Sequence, residues 1–237
     1  MIENIRIKEI AIKLIRKPVK NVHLSVYPPY GHVKIVAPIN IRKDTVRAYA
    51  ISKLAWIRNQ KTSYANQDRE LSFKYKIKET HLLWGKKYLL DIQYQNTKSF
   101  IKLNNRCIKL VVRSGSTKKE RKYLIHNWYK NLLHSIVPKI INKWEKRLKV
   151  KVGAYFLQKM KTKWGSANYK LCHIRINTEL SKKPKDLLEY IVVHEMIHLL
   201  EPSHNQRFIT LLDMHYPQWH EARKRLNKLP LAAETWK

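Results

Sequence analysis

The 237-residue sequence is short of cysteine and glycine, and each shortage excludes a class of protein. Its two cysteines, Cys107 and Cys172, are too few for a disulfide framework and lack metal-ligand spacing, so we expect two reduced thiols. Five glycines and the absence of low-complexity tracts exclude a flexible or fibrous chain. We find no internal repeat in the sequence. With 44% hydrophobic residues, the chain is predicted to fold around a core.

Long apolar runs are also missing. The N-terminal stretch MIENIRIKEIAIKLIRKP interrupts its apolar residues with charges, which excludes the core of a signal peptide. No stretch approaches the roughly 20 apolar residues that a membrane-spanning helix needs. We therefore expect a cytoplasmic protein without membrane insertion.

Acidic residues are scarce, since 17 Asp and Glu stand against 49 Lys and Arg, giving a formal net charge of +32. Such a charge favours association with a polyanion, such as nucleic acid, an acidic protein or an anionic membrane surface. The basic residues are spread along the whole chain, however, so a lysine-rich composition without such a partner explains them equally well.

Two regions of different periodicity follow one another. Residues 1–114 contain strand-like stretches, among them VHLSVYPPYGHVKIVAP, and one helical stretch, RKDTVRAYAISKLAWIRNQ. The RSGST segment then marks a change of period. We predict an α+β protein, with an N-terminal β-rich module carrying one helix over residues 1–114 and a second domain over residues 115–237.

The second region begins with a helical stripe of about 30 residues, which Pro138 is expected to kink or split. The stripe predicted to face the core is Leu124, Trp128, Leu132, Ile136, Ile140, Trp144 and Leu148. Two strands around a turn at residues 164–166 are predicted next. Pro184 is then well placed to open a helix, because proline suits the first turn.

This last helix carries the motif His194-Glu195-x-x-His198. The two histidines are one helical turn apart, so both imidazoles can bind one cation. Glu195 lies about 100° round the helix from His194, where it can reach a water on that metal without binding the metal. Because the rest of the helix is apolar, two unliganded core histidines would be costly to bury. The pattern favours a zinc site.

A catalytic zinc site needs a third protein ligand, and the sequence offers two candidates. Pro202 ends the helix, so the chain can turn back and bring His204 to the metal through a short loop. Glu221, further downstream, is the alternative. We favour His204, and we expect one catalytic Zn²⁺ with an open coordination position.

Nearly the whole chain resembles the YgjP-like family of metal-dependent hydrolases, relatives of the SprT and Spartan type of zinc proteases. The resemblance is strongest in KMKTKWGSAN, IRINTEL, YIVVHEMIHLLEPSHNQRF and HYPQWHEARKRLN. The family signature is His-Glu-x-x-His followed by five residues and a third histidine. It implies metal ligands at His194, His198 and His204 and a catalytic base at Glu195. It also implies that the C-terminal half is a zincin-like domain with a mixed sheet and an active-site helix.

Two positions depart from the family pattern. Ala167 follows Trp-Gly-Ser where the family often has cysteine, so we expect no thiol ligand there. Lys163 stands where an arginine usually precedes Trp164, which keeps the charge but loses the planar fork of the guanidinium.

Further residues are candidates for supporting roles. His215 and Tyr216 are candidates for stabilising the transition state or orienting a ligand, with helix-end packing as the alternative. A possible substrate-binding edge strand, with an ordinary interior strand as the alternative, consists of Ile174, Arg175, Ile176 and Asn177.

Three functions compete at this point. The leading one is a zinc metallopeptidase that cleaves proteins or peptides, near nucleic acid by analogy with the Spartan-type relatives. The second is a nucleotide or phosphoanhydride hydrolase of the nucleoside triphosphate pyrophosphatase type, although no glycine-rich phosphate loop or Mg²⁺-type carboxylate cluster is present. The third is a nucleic-acid-binding module with a structural zinc, for which Glu195 would be superfluous.

Overall fold

The structure is a computed structural model that describes residues 2–27, 30–65, 73–160 and 163–229. The chain divides into two compact units, one covering the described residues up to Ala65 and the other beginning at Phe73. No helix in these ranges is long and apolar enough to cross a bilayer.

The first unit contains a four-stranded mixed sheet. Alternation in the second strand directs Ile10, Ile12 and Leu14 into the core, as expected for a sheet with one covered face. The strand order is β1-β2-β4-β3, with β2 and β4 parallel and both outer pairs antiparallel. The strands are β1 (Ile2–Ile7), β2 (Ile10–Lys17), β3 (His23–Tyr27) and β4 (His32–Pro38).

The single helix predicted for this region is two helices, α1 (Lys43–Ser52) and α2 (Leu54–Ala65). Lys53 separates them, with a backbone (φ −101°, ψ 7°) that departs from helical geometry. The sequence does not reveal this break at Lys53, because the helical spacing of the apolar residues continues from α1 into α2. The buried residues of the two helices are Val46, Ala50, Leu54 and Ile57.

The second unit begins with a sheet of the same topology. Its strand order is β5-β6-β8-β7, again with a parallel central pair and antiparallel outer pairs. Both sheets open with a hairpin whose turn has two residues, 8–9 in one and 84–85 in the other. The structure thus contains a repeated topology that the sequence does not reveal. The strands are β5 (Thr80–Leu83), β6 (Lys86–Tyr94), β7 (Phe100–Leu103) and β8 (Cys107–Val112).

The predicted boundary at residue 114 falls inside the second unit. The helix that follows, α3 (Lys118–Leu148), packs its residues Ile125 and Tyr129 into the same apolar core as the sheet. The Tyr129 hydroxyl also donates to the carbonyl of Leu82 at 2.6 Å. These contacts join residues far apart in sequence, so a local change of period could not reveal them.

Helix α3 runs unbroken through Pro138, and its buried row differs from the predicted stripe. Four residues turn a helix by about 400°, so a row spaced strictly by four drifts round the axis by about 40° per step. The buried row begins one residue later, and a single step of three from Ile141 brings it onto the predicted stripe at Trp144 and Leu148. Its members are Ile125, Tyr129, Leu133, Val137, Ile141, Trp144 and Leu148.

A three-stranded sheet and three helices complete the second unit. The strand order is β10-β11-β9, with β10 antiparallel and β9 parallel to the central strand. The predicted turn at residues 164–166 is wrong, since β10 begins at Gly165 and the hairpin turn lies at residues 169–172. The elements are β9 (Ala154–Gln158), β10 (Gly165–Asn168), β11 (His173–Asn177), α4 (Lys185–Ile197), α5 (Gln206–His215) and α6 (Trp219–Lys228).

The predicted edge strand over residues 174–177 is an interior strand. Both sides of β11 are paired, with β10 on one side and β9 on the other, so its backbone groups are already engaged. Its apolar side chains Ile174 and Ile176 are completely buried, as is usual for a central strand. Within the described residues, β10 is the edge strand on this side.

Candidate metal centre

Three histidine side chains converge at the C-terminal end of α4. His194 lies in the last turn of the helix, His198 directly follows it, and His204 lies in the next loop. The Nε2 atom of His204 is 3.1 Å from the Nε2 atoms of both His194 and His198. Ligand nitrogens of a tetrahedral zinc ion are about 3.4 Å apart, given Zn–N bonds near 2.1 Å. The three residues therefore form a group that fits a metal ion.

Hydrogen bonding and packing orient these rings. Nδ1 of His198 donates to the carbonyl of Glu201 at 3.1 Å, so in the neutral ring Nε2 presents its lone pair to the other two histidines. Phe208 packs against all three imidazoles, with ring centroids 4.5 to 5.0 Å apart. Its position follows from the start of α5, where the Asn205 side chain accepts a hydrogen bond from the Phe208 backbone N–H.

Burial keeps the histidines neutral at pH 7. Desolvation lowers the pKa of His194 to about 3 and also lowers the pKa values of His198 and His204. The positive charge of Arg223 acts in the same direction on His194 and His204. Neutral imidazoles offer the lone pairs that metal binding requires.

Glu195 is almost fully buried beside this cluster, with 5% of its surface exposed. Burial raises the pKa of its carboxyl to about 8, and the charge of Lys163 opposes that rise. A cation held by the histidines would, like Lys163, lower the pKa of the Glu195 carboxyl. The carboxyl therefore has the proton affinity of a group that can both accept and release a proton near neutral pH.

Gly165 leaves room for this carboxylate. A Cβ atom at position 165 would lie 2.6 Å from Cγ and 2.7 Å from Cδ of Glu195, closer than non-bonded carbon atoms approach. Glycine leaves the Glu195 side chain this position, because a larger residue at 165 would force that side chain to shift. The predicted turn at residues 164–166 gave this glycine a different role, although a glycine inside a strand is itself a signal of close backbone approach.

Replacing Gly165 by Ala is expected to displace Glu195 and lower peptide hydrolysis by about 100-fold, the effect of a misplacement near 1 Å. Zinc content should stay unchanged, because the atoms nearest to the added methyl group all belong to Glu195 and not to the histidines. Steady-state kinetics and metal analysis of the purified variant check this. Full activity in Gly165→Ala would contradict this prediction, because it would show that the Glu195 carboxylate can act as a base from another position.

Three other candidate residues lie away from the histidines. The Tyr216 hydroxyl donates to the Asp186 carbonyl at 3.2 Å, and the Tyr216 ring packs against Trp144. His215 ends α5 and is not among the described residues that line the adjacent cavity. Glu221 is exposed in the first turn of α6 and is not part of the histidine group. His215 and Tyr216 thus lie at the end of α5, and their role in catalysis stays a prediction; among the described residues, His204 rather than Glu221 joins the histidine cluster.

A cavity of about 590 Å³ opens over the histidines and Glu195. One wall is β10 with the residues just before it, Lys163 and Trp164, and another is the face of α6 that carries Arg223. Arg223 lies in the HYPQWHEARKRLN stretch, but nothing in its local pattern pointed to the cavity. The arrangement combines a metal-binding histidine group, a buried carboxyl and an open channel for a substrate.

Comparisons with known proteins give matches to solved structures and to one family model. Two solved structures match part of the chain, the metallopeptidase zymogens of Pyrococcus abyssi abylysin and Methanocaldococcus jannaschii jannalysin. Their identities are 17% and 24%, their TM-scores are 0.36 and 0.33, and the matches cover 38% of this chain and 91% and 92% of theirs. No curated protein matches. The family model for the YgjP-like metallopeptidase domain matches residues 20–229. Because that match spans most of the sequence, the chain belongs to the YgjP-like metallopeptidase family.

Proposed function

We propose that the protein is a zinc-dependent metallopeptidase in which His194, His198 and His204 bind the metal and Glu195 is the general base. The convergence of three Nε2 atoms, two of the three separations being 3.1 Å, carries this proposal. A buried carboxyl directly follows the first of these histidines, as a peptidase requires and a purely structural zinc site does not.

The donor set suits zinc. Neutral imidazoles are preferred by zinc and related transition metals, whereas Mg²⁺ and Ca²⁺ prefer oxygen ligands. When bound, zinc polarises a substrate carbonyl and lowers the pKa of a water molecule. The hydrogen bond from His198 to the Glu201 carbonyl holds that ring in the ligand tautomer.

Glu195 performs the proton transfers. Its carboxylate accepts a proton from the attacking water and then donates it to the nitrogen of the leaving amine. Burial raises the pKa of Glu195 and a bound cation would lower it again, so the carboxylate can accept the proton in the first step and release it in the second. Gly165 gives the carboxylate the space it occupies during both transfers.

The edge strand β10 offers a place for a peptide substrate. It pairs only with β11 among the described strands, and it forms a wall of the cavity. An extended peptide that adds to this edge by main-chain hydrogen bonds would pass the histidines and Glu195. This strand replaces residues 174–177 as the candidate substrate-binding edge.

Hydrolysis of a nucleotide phosphoanhydride by the same residues is a second candidate function. The observation that favours it is the pair of cationic side chains, Lys163 and Arg223, at the cavity. We place nucleotide hydrolysis second because an edge strand along the cavity can pair with the main chain of a peptide, whereas a nucleotide has no such main chain. The net charge of +32 further supports action near nucleic acid in either case.

The test is hydrolysis by the full-length protein after removal of metal and after reloading with zinc. The substrates are casein, a DNA-binding protein with and without single-stranded DNA, and nucleoside triphosphates. We expect protein cleavage that a chelator abolishes and zinc restores, with faster cleavage of the DNA-binding protein when DNA is present. Zinc-dependent nucleotide hydrolysis with both proteins untouched would overturn the peptidase proposal.

A further inference from the structure

The cavity has a second chemical feature besides the histidines and Glu195, which is the face of α6. Arg223, Leu226 and Asn227 line the cavity at positions i, i+3 and i+4 of that helix. Leu226 is also buried in the core, which fixes the rotation of the helix. The guanidinium of Arg223 lies over the Trp219 ring, with Cζ 5.9 Å from the ring centroid. Arg223 is therefore held at the cavity wall by a packed helix.

The charge of the cavity is unbalanced. Its described lining contains the cations Lys163 and Arg223, but Glu195 is its only carboxyl group. In the described part of the chain, neither cation forms an ion pair with an acidic residue, whereas Arg225 on the same helix pairs with Asp186. With the carboxylate of Glu195 ionised, these two cations still leave a net positive charge in a concave site, which attracts a negatively charged ligand group more strongly than it would on a flat surface.

We propose that Arg223, with Lys163 on the β10 side, forms a subsite for a carboxylate of the substrate, so that the enzyme selects acidic peptides. The proposal rests on the peptidase function argued above. A guanidinium binds a carboxylate through two parallel hydrogen bonds, and the carboxylate of an Asp or Glu side chain or of a chain terminus meets this requirement equally. Because these cations and the histidines line the same cavity, a peptide whose scissile bond lies at the histidines can present either carboxylate to the subsite.

The first experiment profiles cleavage sites in a mixture of cellular peptides by mass spectrometry. Synthetic peptide pairs, Glu against Gln beside the scissile bond and free acid against amide at the C-terminus, then separate the two carboxylate sources. We expect kcat/KM for one acidic peptide to exceed that for its neutral partner by about tenfold, the strength of a charged hydrogen bond. Arg223→Gln should reduce that ratio towards one. Lys224→Gln, an exposed neighbour on α6 outside the cavity lining, should leave it unchanged.

A second measurement does not require turnover. The zinc-loaded variant Glu195→Gln binds the same fluorescent peptide pairs without cleaving them, and anisotropy gives their affinities. Tighter binding of the acidic peptide that is lost when Arg223→Gln is added supports the subsite, whether or not the wild type cleaves the peptide. Absence of cleavage by the wild type would refute the peptidase proposal and not the subsite. Equal cleavage and equal binding of acidic and neutral peptides would refute the subsite and leave the peptidase standing.

Discussion

Replacement of Glu195 by Gln is expected to lower peptide hydrolysis by about 10³-fold or more while the protein keeps its zinc. A general base contributes roughly 10²–10⁴-fold to such a reaction, and in the proposed mechanism Glu195 takes part in two successive proton transfers. The amide has nearly the same size as the carboxylate, so the close contact with Gly165 and the histidine geometry should be retained. Measurement of kcat/KM and of zinc content on the same preparation checks both parts of the prediction.

Glu189→Gln is the matched control, because it makes the same chemical change on the same helix. Glu189 accepts hydrogen bonds from Lys143 and from the Trp144 indole, away from the described cavity lining. Its replacement should leave kcat/KM within a few-fold of the wild type. If Glu195→Gln retained wild-type activity with full zinc content, another group would have to be the base.

Replacement of His204 by Ala is expected to weaken zinc binding by more than 100-fold, because a direct ligand matters more than the surrounding groups whose loss costs about 10–100-fold. Free zinc at 100 times the dissociation constant stabilises the wild type by about 2.7 kcal/mol, or roughly 5–10 °C in melting temperature. That stabilisation should disappear in His204→Ala. Thermal melts at fixed zinc concentrations, together with metal analysis, give the result.

Glu221→Ala is the control for this second prediction, because Glu221 was the other candidate ligand in the sequence. It is exposed on α6 and should have no effect on zinc binding or on the zinc-dependent melting temperature. The opposite pair of results, with zinc retained in His204→Ala and lost in Glu221→Ala, would make Glu221 the third ligand and would require α6 to move.

The part of the site that could be predicted from the sequence depends on local geometry. His194 and His198 lie on one side of a helix because four residues make about one turn, whatever the rest of the chain does. His204 follows after a six-residue step that includes Pro202, so a short loop limits how far it can lie from the helix end. The family resemblance, carried by the same motifs, is confirmed by the match over residues 20–229.

The remaining features depend on contacts between distant parts of the chain. The identity of the edge strand follows from the pairing of β11 with β9 and β10, which the alternation within residues 174–177 does not reveal. The unit boundary depends on α3 packing against the sheet that precedes it. Phe208 reaches the histidines, and Arg223 the cavity beside them, only because α5 and α6 pack against α4, and neither residue carries a sequence signal of that role.

The sequence by itself determined the helix with its two histidines and Glu195, the excess of positive charge and the family, because each of these is a property of short segments or of composition. The tertiary structure alone decided where the carboxylate of Glu195 lies, that Gly165 must be a glycine, and that β10 and α6 form the walls of the cavity. These depend on how closely separate elements pack, and the energy of that packing is shared among residues that are far apart in sequence.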